Sequence, residues 1–382
     1  AGAVEAAAST GGQLMPPIMG AAAFIMVEFL NIPYGQIAIA AAIPAVLYFT
    51  GIFITVHLEA KKSGLLGIPK EKLPNWKQLL KKKWFLATPI VGIVYLLVKG
   101  YTPMMAAFIA IILCIAASMI LKETRMSLKD IIYALEEGAR SALPVVVSCA
   151  TAGIVVGIIT LTGLGMKMSG GLVSLAGGNI YLTMFFTMIG SLILGMGVPT
   201  TANYIIQATV SAPALIILGV PPLAAHLFVF YFGIVADITP PVALAAFAGS
   251  GIAQSDPLKT GFEAFKLGFA AYLVPYIFAL LPILVLIRPE GTTTAAFTIN
   301  VALAIFTAVI GMVCIGASTT NYFVTNDKWY ERILFLAAGI FLIKPGIYTD
   351  IFGIVVLGGV WFLQTYRVKQ TVKSISAEIE AK

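Results

Sequence analysis

Apolar residues run along this chain in long blocks separated by charged and Gly/Pro clusters. Blocks at about 14–30, 36–58, 84–99, 103–121 and 144–163 approach the roughly 20 residues that a helix needs to cross a bilayer. The pattern then changes. The run 180–218 is broken by GMGVPTTANY, Gly195 to Tyr204, which leaves two arms of roughly 16 residues, each short for a full crossing, and reads as a re-entrant hairpin. The stretch 222–254 is interrupted by ADITPP, Ala236 to Pro241, where consecutive prolines remove two amide donors, so it reads as a discontinuous span. Further helices are expected at about 262–287, 296–317, 331–343 and 350–366, and the glycine-rich stretch Gly163 to Gly178 reads as loop.

Of the 382 residues, 59% are hydrophobic and only 11% charged, against about 25% charged in a soluble domain. Together with a mean hydropathy of +0.97, this excludes an ordinary soluble protein and defines an all-α polytopic membrane protein. The net charge of +7 lies in short loops, which makes it a topology signal and gives no reason to expect nucleic acid. The loop Ala60 to Lys83 holds Lys61, Lys62, Lys70, Lys72, Lys77, Lys81, Lys82 and Lys83 against Glu71 alone, and is expected on the cytoplasmic side. Lys122, Arg125, Lys129 and Arg140 return to that side, as does the tail after Arg367, while the opposite connections carry single basic residues such as Lys99, Lys167, Arg288 and Lys344. Cys114, Cys149 and Cys314 lie singly in apolar stretches, and His57 and His226 are far apart, so neither a disulfide framework nor a zinc site is expected. Ala1 opens directly on GAVEAAASTGG, with no initiator Met, basic n-region or apolar h-region, so an N-terminal part is expected to be missing.

An internal repeat emerges when TGGQLMPPIMGAAAF, Thr10 to Phe24, is laid on IVADITPPVALAAF, Ile234 to Phe247. Pro16 and Pro17 match Pro240 and Pro241, and each copy is followed by a helix with a mid-span proline, Pro44 or Pro275. Counting crossings from the lysine-rich loop sends the two copies across the membrane in opposite directions, the mark of an inverted repeat.

Broken backbone inside a bilayer is tolerated where it lines a cavity or is buried in protein, so the breaks are site candidates. Free carbonyls at one half-helix end suit a cation, and free amides at the next half-helix start suit an anion. The second repeat supplies Gly197, Thr200, Thr201, Asn203, Asp237 and Thr239; the first supplies Ser9, Thr10, Gly11, Gly12 and Gln13. Asp237 is the sharpest single residue, because an ionisable group at mid-membrane is costly and by default functional. Its rival role is to cap the half-helix beginning at Pro240. Glu28 and Glu263 read as interfacial, Glu5 is ambiguous, and His226 reads as a hydrogen-bonded structural histidine with a proton relay as the alternative. No GxxxxGK[ST] string is present, so transport would draw on an ion gradient unless another subunit hydrolyses ATP.

The strings GAVEAAASTGGQLMPPIMGAAAFIM, GMGVPTTANYIIQATVSAPAL and FGIVADITPPVALAAFAGSGIA resemble the large permease subunit of tripartite ATP-independent periplasmic (TRAP) transporters, in the fused form that works with a TAXI-type binding protein. The resemblance covers roughly residues 1–288. It implies an elevator-type secondary transporter with re-entrant hairpins and broken helices, coupled to sodium or protons. It also implies a periplasmic TAXI-type solute-binding protein as partner, a small organic acid as substrate, and the inner membrane of a bacterial or archaeal cell as location. It further implies small-subunit helices and a first hairpin before the region of Ala1, so the chain is expected to be an N-terminally truncated fragment.

On this reading residues 1–59 are the remainder of the first repeat, 60–83 a basic cytoplasmic loop, 84–143 connecting helices, 144–288 the second repeat and 289–382 a C-terminal transmembrane extension with a basic tail. Helices at 84–121 and after residue 295 are expected to form scaffold or periphery. Ion binding is expected at Ser9, Thr10, Gly12, Gly197, Thr200, Asp237 and Thr239, oxygen donors being suited to hard cations. Substrate binding is expected at Thr201 and Asn203, with no cofactor beyond sodium. The rival readings are an intramembrane enzyme using Asp237, for which only Glu5 offers a second carboxylate, and a non-transporting structural subunit.

Overall fold

A computed structural model of the chain describes residues 1–121, 124–343 and 346–380. Lys122 and Lys344, both used in the loop-charge argument, lie outside the described residues. The fold is helical: α1 Gly2–Gly12, α2 Ala22–Leu30, α3 Tyr34–Lys62, α4 Trp76–Lys83, α5 Thr88–Val98, α6 Pro103–Ser118, α7 Leu128–Leu161, α8 Leu164–Leu175 and α9 Ile180–Gly195. These are followed by α10 Thr200–Val210, α11 Ala212–Ile217, α12 Pro222–Val235, α13 Leu244–Ala253, α14 Pro257–Leu267, α15 Ala270–Leu280, α16 Thr294–Thr320, α17 Trp329–Ile343 and α18 Ile347–Glu380. Among the described residues five segments are long and apolar enough to cross a membrane: Tyr34–Lys62, Leu128–Leu161, Pro257–Leu280, Thr294–Thr320 and Tyr348–Gln370.

Helix starts coincide with side chains able to hold the first free amides. Asn179 accepts from the Tyr181 and Leu182 amides at 2.9 and 3.2 Å to open α9, and Asp256 accepts from the Lys259 amide at 2.8 Å to open α14. Ser127 and Asp130 exchange bonds in a capping box at α7. Helix α12 lies at the centre. Its residues from Ala224 to Val235 are all buried, as an all-round apolar sequence requires.

Both prolyl breaks follow one rule. A helical amide bonds to the carbonyl four residues back, so Pro16 cannot serve Gly12, and α1 ends at Gly12. Pro240 likewise cannot serve Ala236, and α12 ends at Val235, passing into a 3-10 turn at Ala236–Ile238. Each proline pair contains a cis bond, and two residues later the chain enters the left-handed region, at Met19 (φ 56°) and Ala243 (φ 37°). The first break is therefore Gln13 to Ala21, not Ser9 to Gln13 as the sequence reading has it. Ser9, Thr10, Gly11 and Gly12 form the last helical turn of α1.

Two further expectations change. The stretch Gly163 to Gly178 is not loop: α8 occupies Leu164–Leu175. Its leucines, methionines and valine outweigh interior glycines that cost about 1 kcal/mol each. It is also anchored where the Ser169 hydroxyl, buried, donates to Val210 O at 2.7 Å. The expected single helix 262–287 is two, α14 and α15, parted at Gly268 and Phe269. A Cβ at Gly268 would stand 2.6 Å from Ile238 Cδ1, so this bend presses on the second break.

Of the C-terminal helices, α16 packs on α3, α17 on α16 and α18 on α17. A Cβ at Gly316 would meet Ile54 Cγ2 at 2.8 Å, and one at Gly339 would come within 3.1 Å of Gly311 O, close approaches typical of small residues between membrane helices. Glu331, fully buried, pairs with Arg367 and takes a bond from Gln364 Nε2 at 3.0 Å.

Candidate functional site

The two broken helices run antiparallel. The start of α1 lies on the end of α13, where a Cβ at Gly2 would be 2.6 Å from Gly249 O and 3.2 Å from Ala253 Cβ. The end of α2 lies on the start of α12, with the Phe29 and His226 rings 6.0 Å apart. Contacts at opposite ends fix opposed directions, and between them α1 touches the 3-10 turn Ala236–Ile238, so the breaks fall at the middle of the pair. Matching Pro16 to Pro240 places Gln13 where the second repeat has Asp237. The same middle is thus amide in one copy and carboxylate in the other.

The hairpin α9–α10 turns through Met196 to Pro199 and sets its tip against this middle. A Cβ at Gly195 would stand 2.6 Å from Ala236 Cβ and 2.8 Å from Asn203 Nδ2, and a Cβ at Gly233 also 2.8 Å from Asn203 Nδ2. Only glycine at both positions lets Asn203 reach the last turn of α12. Its orientation is set by a relay: Ser191 Oγ donates to Gln207 Oε1 at 2.7 Å, and Gln207 Nε2 donates to Asn203 Oδ1 at 3.2 Å. With Oδ1 an acceptor, Nδ2 is the free end, and it is buried without a hydrogen-bond partner. An amide donor left over in this way costs free energy unless a ligand acceptor meets it.

The structure brings some expected site residues together and separates others. Asn203 meets the last turn of α12 at Gly233, and Gly195 beside it meets Ala236, next to Asp237. Thr200 and Thr201, half-buried, open α10 behind Pro199, and no side chain caps this helix. Gly197, at the exposed tip, has φ +79° and would place a Cβ in open space, so its requirement is conformational and not one of crowding by the protein. Thr239 is buried; its hydroxyl donates to Val235 O at 2.6 Å and lies 2.5 Å from Tyr272 OH. Ser9 faces away and donates to Glu5 Oε1 at 2.9 Å on the exposed side of α1. Thr10 is buried and Gly12 exposed, both helical, so none of the three offers the unwound backbone expected of them.

Asp237 does not cap the following half-helix. The residue before α13 is Ala243, with no side-chain capping bond, and Asp237 sits half-buried in the 3-10 turn that closes α12. Its capping role is thereby removed. His226 is buried, and its Nδ1 lies 2.8 Å from Tyr204 OH. Tyr204→Phe strands this nitrogen and is expected to cost about 1–3 kcal/mol, read as a lower midpoint of thermal unfolding in detergent; an unchanged midpoint would show that the bond contributes nothing.

Sequence reasoning missed Ser191, Gln207 and Tyr272. The available signal was polar side chains on otherwise apolar hairpin arms, sixteen positions apart for the first two, which on antiparallel arms places them side by side.

Apolar helices of spanning length, together with two helices broken at mid-length, define a multi-pass α-helical membrane protein. The chain belongs to the DctM component family of the tripartite ATP-independent periplasmic transporters, whose family model matches residues 1–290. It is thus a transporter permease and not an enzyme, and a permease of this kind works with a solute-binding protein. Residues 301–354 match a domain of unknown function, DUF3394. No curated protein matches the chain.

Proposed function

We propose that the chain carries a small organic acid across the cytoplasmic, inner membrane of a bacterial or archaeal cell by elevator-type alternating access. The acid would be delivered by a TAXI-type periplasmic binding protein, and transport would be coupled to sodium or protons. The observation that supports this reading best is the meeting of two antiparallel helix breaks with a hairpin tip that presents an unpartnered amide, Asn203 Nδ2. Asn203 and Thr201, with the amides that open α10, would receive the carboxylate. Asp237, Gly197, Thr200 and the carbonyls of the breaks would receive the cation, with Thr239 holding the turn through Val235 and Tyr272. Ser9, Thr10 and Gly12 would act through the position of α1, and Gln13 would stand opposite Asp237.

Reconstitution with the binding protein in proteoliposomes tests the reading. Uptake of the acid is expected to require the binding protein and to follow an imposed sodium or proton gradient. Uptake indifferent to both gradients would refute ion coupling, and no uptake of any acid offered would favour a structural subunit.

The tip supplies a further prediction. A non-glycine residue in the left-handed region costs roughly 1–2 kcal/mol, and a β-branched one more. Gly197→Val is expected to eliminate uptake without impairing insertion. Gly358→Ala, in α18 where a Cβ meets nothing, is expected to leave uptake nearly unchanged. Equal losses at equal expression would show that the tip is not special.

A further inference from the structure

Where the family core meets the C-terminal helices, two adjoining cavities of about 720 and 270 Å³ share Lys266, Thr319, Asn321 and Arg332. One side is apolar, formed by Phe265 and Phe269 near the end of α14 and by Ile333 and Leu336 of α17. The other is charged and balanced: Lys62, Lys266 and Arg332 against Glu59, Glu263 and Asp327. Lys62 begins the lysine-rich loop, and Trp329 lies exposed at the rim, so the cleft sits at the depth of lipid headgroups.

The polar groups are unevenly satisfied. Lys62 Nζ donates to Thr320 O at 2.6 Å and Lys266 Nζ to Glu263 at 2.6 Å. Arg332 gives Nε to Ser318 O at 2.8 Å. Asp327, only 8% exposed, accepts from Gln364 Nε2 at 2.7 Å through Oδ1, while Oδ2 has no hydrogen-bond partner. Burial pushes this carboxyl up to about 6, with Glu331 adding to the rise while Gln364, Arg332 and Arg367 oppose it.

We propose that this cleft binds a phospholipid with a primary-amine headgroup, of the phosphatidylethanolamine kind. Its phosphate meets Lys266 and Arg332, its ammonium supplies the donor that Asp327 Oδ2 lacks, and its acyl chains lie along Phe265, Phe269, Ile333 and Leu336. A charge-balanced lining gives a net anionic lipid no advantage, and a quaternary ammonium has no N–H to donate. The site would tie α14 of the family core to α17 of the extension, and it stands independently of what the chain transports.

The test uses the full chain with Trp76, Trp84 and Trp361 replaced by Phe, leaving Trp329 as the reporter, in phosphatidylcholine vesicles. Lipids with brominated chains and an ethanolamine, glycerol or choline headgroup are titrated in turn. Quenching by the ethanolamine lipid is expected to half-saturate at a roughly tenfold lower mole fraction than by the other two, the worth of one charged hydrogen bond. Asp327→Asn, which keeps the Gln364 contact, is expected to erase that lead, and Lys266→Gln to weaken all three lipids. Equal quenching by the three, a lead for the glycerol lipid, or an ethanolamine lead that survives Asp327→Asn would overturn the proposal.

Discussion

Asp237→Asn is expected to lower gradient-driven uptake by at least about tenfold and to remove its dependence on the coupling ion, while the protein still inserts and binds its partner. The substitution keeps size and hydrogen-bonding capacity and removes only the charge. A charged ligand contact is worth about 1.5–3 kcal/mol net, which is roughly tenfold to a hundredfold in ion affinity. Because Ala243, and not Asp237, precedes α13, the loss cannot be charged to a missing helix cap. Asp256→Ala makes the contrast. It removes a real cap, the 2.8 Å bond to the Lys259 amide, and is expected to cost about 1 kcal/mol of stability while leaving ion dependence intact. Uptake by Asp237→Asn with unchanged ion dependence would take that residue out of the coupling site.

Gly249→Leu is expected to have a large structural effect on the site-bearing helices. A Cβ there would come 2.7 Å from Gly2 O, a backbone atom that no rotamer change can move aside. Overpacking of this kind costs about 1–3 kcal/mol, and relief requires α1 to shift off α13, which displaces both breaks together. At Gly251, exposed and two residues on in the same helix, a Cβ meets nothing within 4 Å, and Gly251→Leu is expected to leave thermal stability and uptake near the wild-type values. Equal tolerance of both substitutions would mean that α1 and α13 do not pack as described.

Much of this architecture was legible in the sequence because proline acts locally. Pro16–Pro17 and Pro240–Pro241 remove particular amides, and the hairpin between Gly195 and Tyr204 carries its own turn residues. The exact place of the first break was not legible by composition: Ser9, Thr10, Gly11 and Gly12 look like helix breakers. The helix nevertheless runs on to the carbonyl that Pro16 would have served, and Gly11 is where it comes closest to the Tyr48 ring of α3. The stretch Gly163 to Gly178 misled for a related reason, because glycine inside a membrane protein often marks close packing and not a turn. Gly165, whose Cβ would lie 3.1 Å from Thr209 O, is such a case. Least legible was the grouping of Asn203 with Gly195 and Gly233. Asn203 and Gly233 lie thirty positions apart, and no local pattern states that an asparagine will be pressed between two glycines.

The claim that the two halves cross the membrane in opposite directions, with their breaks meeting beside the hairpin, is tested most directly by sided labelling. In a background with Cys114, Cys149 and Cys314 replaced by Ala, single cysteines are introduced at Lys77, in the exposed helix α4, and at Gly178, exposed at the foot of the hairpin. An impermeant maleimide is expected to reach Lys77→Cys only from the cytoplasmic side and Gly178→Cys only from the periplasmic side. Labelling of both from one and the same side would contradict the inverted arrangement.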